Sequence, residues 1–257
     1  MLNKPPFFSI VTIVRNDLNG LQKTFESVIN QTYTNIEWIV IDGASDDGCV
    51  KYLQSLEIKN FHWISEPDKG IYDAMNKGIE LAQGEYINFL NAGDYFQKNN
   101  ILELVNEKIE NNSSQVDLIF GGAFLQMKNG HNYYRKPKSL KHVPYGLPSI
   151  HQSTYYLTKL IKETNYDVNF KICGDYYLIC KLSLHQPKAL IIDMPLVAFT
   201  VGGVSYTKPL NLIRESFYIK KNILNLNVFL RIFVFLRMLI SFSGIYLINN
   251  TYNRSKK

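Results

Sequence analysis

Residues 84–94 read GEYINFLNAGD, which is typical of a strand that ends in an acidic loop. The mostly apolar run at residues 86–90 fits a strand buried on both faces of a parallel sheet, and the turn formers Asn91, Ala92 and Gly93 end it. Asp94 is therefore predicted at the carboxyl edge of the sheet, where open α/β proteins bind ligands. Two uses of its carboxylate are open: ligation of a divalent metal beside a phosphorylated substrate, or simple capping of a turn.

Strand and helix patterns alternate along the chain around this stretch. Strands are predicted at residues 7–14, 36–41, 61–65 and 116–120, and helices at residues 18–29, 49–56, 71–83 and 101–109. The first helix follows Asn16 and Asp17, either of which can cap it. Repeated strand–helix units of this length predict an α/β fold with a mostly parallel, Rossmann-like sheet and helices on both faces.

The composition is that of an ordinary globular protein. The chain has 257 residues, of which 46% are hydrophobic and 19% charged, enough for one large α/β domain. Cys49, Cys173 and Cys180 are odd in number and lack metal-ligand spacing, so we expect buried thiols in a reducing compartment. The apolar run at residues 7–14 is followed at once by polar residues, which is unlike a secretory signal. We therefore expect a cytoplasmic protein.

The distribution of charge argues against nucleic acid as a partner. The net charge is +6, but residues 206–257 hold nine Lys/Arg and one Glu, a net charge of +8, which leaves −2 for residues 1–205. The body of the protein is slightly acidic, and only the tail is basic. A nucleic-acid-binding domain would instead show a basic face on the body.

No common phosphate-binding motif is present. The first strand is not followed by Gly-x-Gly-x-x-Gly, and no Walker-type Gly-Lys-Ser/Thr occurs, so neither a dinucleotide fold nor a P-loop is indicated. Asp42, at the end of the second strand, can accept hydrogen bonds from the base or ribose of a nucleotide. An Asx turn in this Asp- and Gly-rich loop is an equally good explanation of Asp42.

Five consecutive motifs together resemble one enzyme family. They are SIVT at residues 9–12, SVINQTY at 27–33, EWIVIDGASDDG at 37–48, SEPDKGIYDAMNKG at 65–78 and FLNAGD at 89–94. Their order closely resembles the family 2 inverting glycosyltransferases with the GT-A fold, in particular the bacterial polysaccharide-assembly members. The resemblance covers roughly residues 7–205. It implies a GT-A domain at residues 1–205, with a donor half at about 1–115 and an acceptor half at about 116–205.

The resemblance also implies where the donor binds. The uracil- and ribose-contacting residues of the family fall on Thr12, Val14 and Asp42. Further nucleotide-sugar contacts are expected at Arg15, Asn16, Asp68, Lys69, Gly70, Asp73, Asn76, Asn91 and Gly93. For Asp73 and Asn76, which share one side of a helix, a solvated helix face is the alternative.

The family's Asp-x-Asp metal motif falls on residues 91–94, where only Asp94 keeps a carboxylate. Asn91 offers a neutral oxygen instead. The resemblance implies Mg²⁺ or Mn²⁺ as the cofactor on Asp94. Such hard cations often take few protein ligands and complete their shell with substrate and water, so one carboxylate can suffice.

The acceptor side is implied by a later segment. The catalytic base of the family falls on Asp175, at the apparent N-terminus of a helix, where an N-cap role is the alternative and both roles are possible. His151 and Gln152, and Gly202 and Gly203 further along, are expected at the wall of the active site. A structural histidine and a plain turn are the respective alternatives.

These roles define an expected function. The chain would move a hexosyl or N-acetylhexosaminyl group, with inversion, from a nucleotide-sugar, in particular a UDP-sugar, to a hydroxyl of a lipid-linked or oligosaccharide acceptor. The product would be a surface polysaccharide, which means capsule, O-antigen or exopolysaccharide. The alternative is a catalytically inactive GT-A-like protein that binds nucleotide-sugars or serves as a membrane scaffold, because the metal motif lacks its first carboxylate.

The tail, residues 206–257, is predicted to form basic amphipathic helices. Arg231 and Arg237 interrupt its apolar residues, and the uncharged run at 238–248 is too short to span a bilayer. Basic residues beside apolar ones would attract the tail to an anionic cytoplasmic leaflet; they are Lys220, Lys221, Arg231, Arg237, Lys256 and Lys257. We therefore expect a peripheral protein on the inner face of the cytoplasmic membrane. The alternative is a tail helix packed on the catalytic domain.

Overall fold

The strands of the protein join into one mixed sheet. The computed structural model describes residues 7–127, 130–200 and 209–236. The strands are β1 (Phe8–Val14), β2 (Ile36–Asp42), β3 (Phe61–Ser65), β4 (Tyr86–Phe89), β5 (Tyr95–Phe96), β6 (Leu118–Gln126), β7 (Asn132–Arg135), β8 (Thr154–Leu157) and β9 (Ala189–Thr200). The helices are α1 (Leu18–Ile29), α2 (Cys49–Gln54), α3 (Ile71–Leu81), α4 (Ile101–Glu110), α5 (Thr158–Thr164), α6 (Gly174–Ser183) and α7 (Pro209–Asn222). Residues 228–236 are also helical.

The first four strands form a parallel sheet in the order β3-β2-β1-β4. Their register brings Val14 beside Asp42 and Asp42 beside Ser65, so these strands end level with one another. The predicted parallel arrangement of these strands is confirmed, and their predicted limits hold to within a residue or two. The consequence is a single carboxyl edge at which the loops after β1, β2, β3 and β4 meet.

The second half of the sheet is mixed. β8 is antiparallel to both β4 and β6, β9 is parallel to β6, and the short β5 is antiparallel to β9. The expectation of a mostly parallel sheet therefore holds for strands β1 to β4 alone. β6 is also longer than predicted, because it continues through Gly121 and Gly122 with a shift of register against β9.

Helices cover both faces of the sheet, as predicted. One apolar core lies under α3, α5 and α6, and it includes Met75, Ile161 and Leu178. The other lies under α1, α2 and α4, and it includes Leu21 and Leu53. Asp17 caps α1 by accepting a hydrogen bond from the Gly20 backbone N–H at 2.9 Å, which decides between the two predicted caps. All three cysteines are buried and free, as expected.

The described part of the tail packs on the domain through α7. Ile219 is fully buried in the core that contains α6. Lys220, expected at a membrane surface, is instead buried, with its ammonium 5.2 Å from the ring centroid of Tyr176. Burial lowers the pKa of Lys220. No helix among the described residues is long and apolar enough to cross a membrane. Arg237 and residues 238–257 lie outside the described part of the chain.

Candidate active site

The loops after β1, β2 and β3 form one wall of a site at the carboxyl edge of the sheet. Asp42 ends β2 and is fully buried. Its Oδ2 accepts hydrogen bonds from the Ser45 backbone N–H at 3.0 Å and from the Ser65 hydroxyl at 2.6 Å. Its Oδ1 is buried without a hydrogen-bond partner. Oδ2 of Asp42 therefore stabilises the turn that follows β2. Oδ1 is free to accept a hydrogen bond from an N–H or O–H group of a ligand.

Arg15 and Asp68 converge on the backbone of Gly43. A Cβ on Gly43 would lie 2.6 Å from Asp68 Oδ2 and 3.3 Å from Arg15 Cδ, so a larger residue would have to displace the Asp68 carboxylate. Asp68 Oδ1 accepts a hydrogen bond from the Gly70 N–H at 2.9 Å, and Gly70 has a φ of 130°, which favours glycine. Three residues expected at the donor, Arg15, Asp68 and Gly70, thus lie together at this edge.

Four other residues expected at the donor have structural contacts. The Thr12 side chain is fully buried, and its hydroxyl donates to the Leu90 carbonyl at 2.8 Å and accepts from Trp38 Nε1 at 2.9 Å. Val14 is buried in the core. Asn16 Oδ1 accepts from the Asp46 N–H, and Asp73 Oδ2 accepts from the Lys69 N–H. The Thr12 hydroxyl therefore does not face the site.

Asn76 was expected to contact the donor, but the structure shows other partners for its amide. Its Oδ1 accepts from the Tyr166 N–H at 2.8 Å, and its Nδ2 donates to the Tyr166 carbonyl at 2.9 Å. Both polar groups of the amide are therefore occupied by one peptide unit. Asn76 joins α3 to the segment before α6 and does not reach toward the donor edge.

The hydroxyl of Thr24, on α1, forms hydrogen bonds with the backbone of the loop after β4. The Thr24 hydroxyl lies 2.7 Å from the Asp94 carbonyl and 3.1 Å from the Asn91 carbonyl, and it accepts from the Gly93 N–H at 3.0 Å. Gly93 has a φ of 90°, a value that favours glycine. This loop is therefore a fixed platform and not a free turn.

Asp94 is a buried carboxylate. It is 8% exposed, and its Oδ2 accepts a hydrogen bond from Gln152 Nε2 at 3.0 Å. Burial raises the pKa of Asp94 to about 6, and the Gln152 hydrogen bond opposes that increase. Gln152, expected at the active-site wall, thus contacts the candidate metal ligand directly.

His151 bridges the β4 loop and helix α6. Its Nε2 lies 3.1 Å from Asn91 Nδ2, and its Nδ1 lies 3.8 Å from Asp175 Oδ2. His151 thus places one ring nitrogen beside Asn91 and the other beside Asp175. His151 and Asp175 are 18% and 19% exposed, so both can be reached from solvent.

Asp175 lies in the first turn of α6. The helix begins at Gly174, with Cys173 at the N-cap position, so Asp175 is not the cap. Asp175 Oδ1 accepts from the Tyr176 N–H at 2.7 Å. Asp175 is therefore an acidic side chain at the positive end of the helix dipole.

Known proteins with this sequence pattern identify the family. Residues 9–175 match the family model described as glycosyl transferase family 2. The chain belongs to glycosyl transferase family 2. An uncharacterized glycosyltransferase of Mycobacterium tuberculosis is 34% identical over 219 residues, which cover 81% of this chain and 80% of the relative.

Two solved structures share the fold of this glycosyltransferase. S. aureus TarS residues 1–349 in complex with UDP-GlcNAc align with a TM-score of 0.69 and 16% identity, over 91% of this chain and 71% of that one. The mannosyltransferase PcManGT from Pyrobaculum calidifontis, in complex with GDP-Man and Mn²⁺, aligns with a TM-score of 0.63 and 12% identity, over 84% and 64%. The predicted GT-A fold and the assignment as a glycosyltransferase are confirmed.

The β4 loop of the glycosyltransferase has features that fit a divalent cation. Asn91 Oδ1 is buried without a partner, three residues from the Asp94 carboxylate. Within residues 7–127, 130–200 and 209–236, no group of three or more His, Cys, Asp or Glu side chains is arranged to hold a metal. A cation here would therefore need oxygens from substrate and water to complete its shell.

The role of Thr24 in holding the β4 loop was not predicted from the sequence of the glycosyltransferase. It shares the buried side of α1 with Gly20, Leu21 and Val28. A hydroxyl on an otherwise apolar helix face is the sequence signal that marks a buried hydrogen bond. Gly202 and Gly203, expected at the active-site wall, lie outside the described residues.

Proposed function

We propose that this glycosyltransferase is an inverting enzyme that moves a hexosyl or N-acetylhexosaminyl group from a UDP-sugar to a hydroxyl of a lipid-linked or oligosaccharide acceptor. One observation carries the proposal: the neighbours Gln152 and His151 contact Asp94 and Asn91 of the β4 loop, respectively, and His151 also lies 3.8 Å from Asp175 Oδ2. The candidate base and the candidate diphosphate platform are therefore neighbours.

The donor would lie along the first three loops. The unpaired Asp42 Oδ1 fits an N–H or O–H donor such as the uracil imide or a ribose hydroxyl. Arg15 is exposed beside Gly43 and can offer positive charge to a diphosphate. The UDP-GlcNAc bound in TarS, which shares the fold, supports a nucleotide-sugar donor.

Asp175 would act as the general base. Its carboxylate takes the proton of the acceptor hydroxyl while that oxygen forms a bond to the anomeric carbon, and the bond from this carbon to the diphosphate oxygen breaks. The nucleoside diphosphate leaves with the electron pair from the opposite face, so the configuration inverts. His151 lies beside the base, with its Nδ1 3.8 Å from Asp175 Oδ2. Base catalysis typically contributes on the order of 10²–10⁴-fold to the rate.

Asp94 and Asn91 would hold Mg²⁺ or Mn²⁺. When bound, such a cation supplies positive charge that stabilises a leaving diphosphate. Gln152 keeps Asp94 oriented, and Thr24 keeps the backbone of the loop in place. The Mn²⁺ complex of PcManGT supports a divalent cation in this fold.

The tail would place the enzyme at the inner face of the cytoplasmic membrane. Along the 228–236 helix, Phe229 is 81% exposed, and Val228, Ile232, Phe233 and Leu236 are about half exposed. Lys221 is exposed nearby. An apolar helix face beside basic residues suits an anionic leaflet, where a lipid-linked acceptor of surface polysaccharide synthesis would be found.

Nucleotide-sugar turnover tests this proposal. Purified protein with Mn²⁺ or Mg²⁺ is expected to hydrolyse or transfer a UDP-sugar, and Asp175→Ala is expected to lose at least about 100-fold in rate while it still binds UDP. A GDP-sugar panel checks the nucleotide. If no nucleotide-sugar is consumed and EDTA leaves nucleotide affinity unchanged, the protein is a GT-A-like binding or scaffold protein instead.

A further inference from the structure

Glu215, on helix α7, holds the segment that leads into α6. Its Oε1 accepts a hydrogen bond from the Lys171 N–H at 3.0 Å. Its Oε2 accepts from the Ile172 N–H at 3.0 Å and from the Cys173 N–H at 2.8 Å. All three donors are backbone N–H groups, so Glu215 constrains the backbone conformation of this segment and does not bind a particular side chain.

This segment needs an external partner. The N-cap residue of α6, Cys173, makes no side-chain capping bond. Backbone N–H groups at the start of a helix lack partners within the helix and carry its positive end charge. From a different helix, the Glu215 carboxylate supplies an acceptor for the Cys173 N–H at the N-cap and a negative charge near the start of α6.

The opposite side of the same segment is held as well. The Tyr72 hydroxyl, from α3, donates to the Ile172 carbonyl at 2.7 Å. A Cβ on Gly174 would lie 2.6 Å from the Tyr72 ring, so this residue has no room to move toward α3. Residues 171–174 are therefore clamped between α3 and α7, and Asp175 follows directly.

We propose that Glu215 is a positioning residue for the base Asp175. The carboxylate fixes the backbone immediately before Asp175, and this directs the Asp175 side chain toward His151 and the acceptor. Glu215 lies beyond residues 9–175, the part of the chain matched by the family model, so the tail contributes to the geometry of the catalytic centre. The proposal rests on the function proposed above for Asp175.

Three variants test it. Glu215→Ala removes every acceptor, whereas Glu215→Gln keeps the volume and one acceptor oxygen, because the amide nitrogen cannot accept from an N–H. Glu163→Gln is the matched control, since Glu163 is an exposed carboxylate on α5. A displacement of about 1 Å at a catalytic group can cost about 100-fold in rate. We expect kcat to fall about 10- to 100-fold in Glu215→Ala and less in Glu215→Gln, with the donor KM within about twofold of wild type.

Amide hydrogen exchange gives a readout that does not depend on turnover. In Glu215→Ala, the amides of residues 171–173 are expected to exchange faster, while those of β1 and β2 keep the wild-type rate. A wild-type kcat in Glu215→Ala, or unchanged exchange at 171–173, would overturn the positioning role. So would a parallel loss of kcat and donor affinity, which indicates general destabilisation. An inactive wild-type protein would refute the proposed function instead, and exchange would still decide whether Glu215 holds the segment.

Discussion

Asp94 combines deep burial with a charge at neutral pH. Its pKa is raised from 3.8 to about 6, so the metal-free protein carries an unfavourable buried charge at pH 7. A shift of this size corresponds to about 3 kcal/mol. The protein keeps this carboxylate although it destabilises the fold, as expected of a residue retained for function.

Asp94→Asn should therefore raise stability while it removes activity. In EDTA at pH 7.5, we expect a free energy of unfolding up to about 3 kcal/mol above wild type. The gain should shrink as the pH falls from about 6 toward 3.8, because wild-type Asp94 then binds a proton in the folded state and its cost disappears. Denaturant titrations at pH 7.5 and 4.5 measure the difference. Asp46→Asn, an exposed carboxylate, is the control, and an equal gain there would contradict the explanation.

Thr24 offers a second test at a single side chain. Thr24→Val keeps the shape but removes the donor of the Asp94 carbonyl and one of the two acceptors of the Gly93 N–H, which keeps its bond to the Gly20 carbonyl at 3.0 Å. We expect a loss of about 1–3 kcal/mol in the free energy of unfolding and weaker binding of Mn²⁺, measured by calorimetry. Thr164→Val, whose hydroxyl bonds only within α5, is the control. Unchanged Mn²⁺ affinity in Thr24→Val would argue against the platform role.

At the scale of elements, α3 is fastened to the segment before α6 by Asn76. Asn76→Ala should cost about 1–3 kcal/mol of stability, because the Tyr166 N–H and carbonyl both lose their partner. UDP affinity should stay within about twofold of wild type, since the amide does not reach the donor edge. Lys77→Ala is the control: its ion pair with Glu66 is partly exposed and should contribute less than about 1 kcal/mol. A large loss of UDP affinity with normal stability would restore Asn76 as a ligand.

The same element shows what the sequence can and cannot predict. The helical spacing of α3 correctly places Asp73 and Asn76 on one side. The partner of Asn76, however, lies 90 residues further along, and no local pattern reveals it. Likewise, Gly121 and Gly122 suggest a turn, yet β6 runs through them. Their lack of a side chain leaves room for Leu196 and Tyr134, which occupy the space that a Cβ would take. Strand ends and their acidic residues were predictable; contacts distant in sequence were not.

For the whole molecule, the parallel strands β1 to β4 were predictable and the tail was not. Parallel strands leave long apolar runs that mark them in the sequence. An apolar tail pattern does not say which face is covered, and Lys220, which is basic by composition, turns out to lie under α6 beside Tyr176. The alternative of a packed tail helix describes α7, whereas the 228–236 helix keeps an exposed apolar face.

This division predicts the effect of a shortened chain. A protein that ends at residue 222 keeps α7 with Glu215 and Ile219, so UDP binding and donor hydrolysis should stay within about twofold of the full chain. Loss of the exposed apolar face should abolish co-sedimentation with anionic vesicles. The single variant Phe229→Asp in the full chain is the matched test of the described face and should weaken sedimentation. A shortened protein that still sediments would refute the membrane role of the tail.

The contact between Glu215 and the segment before α6 also implies an order of maturation during synthesis. A chain emerges from the ribosome N-terminus first, and its early parts can fold before the later ones exist. The loops after β1 to β4 are complete long before residue 215 appears, whereas the backbone before Asp175 gains its three hydrogen bonds only when α7 arrives. A nascent chain would thus complete the loops after β1 to β4 before the backbone in front of Asp175 is held in place.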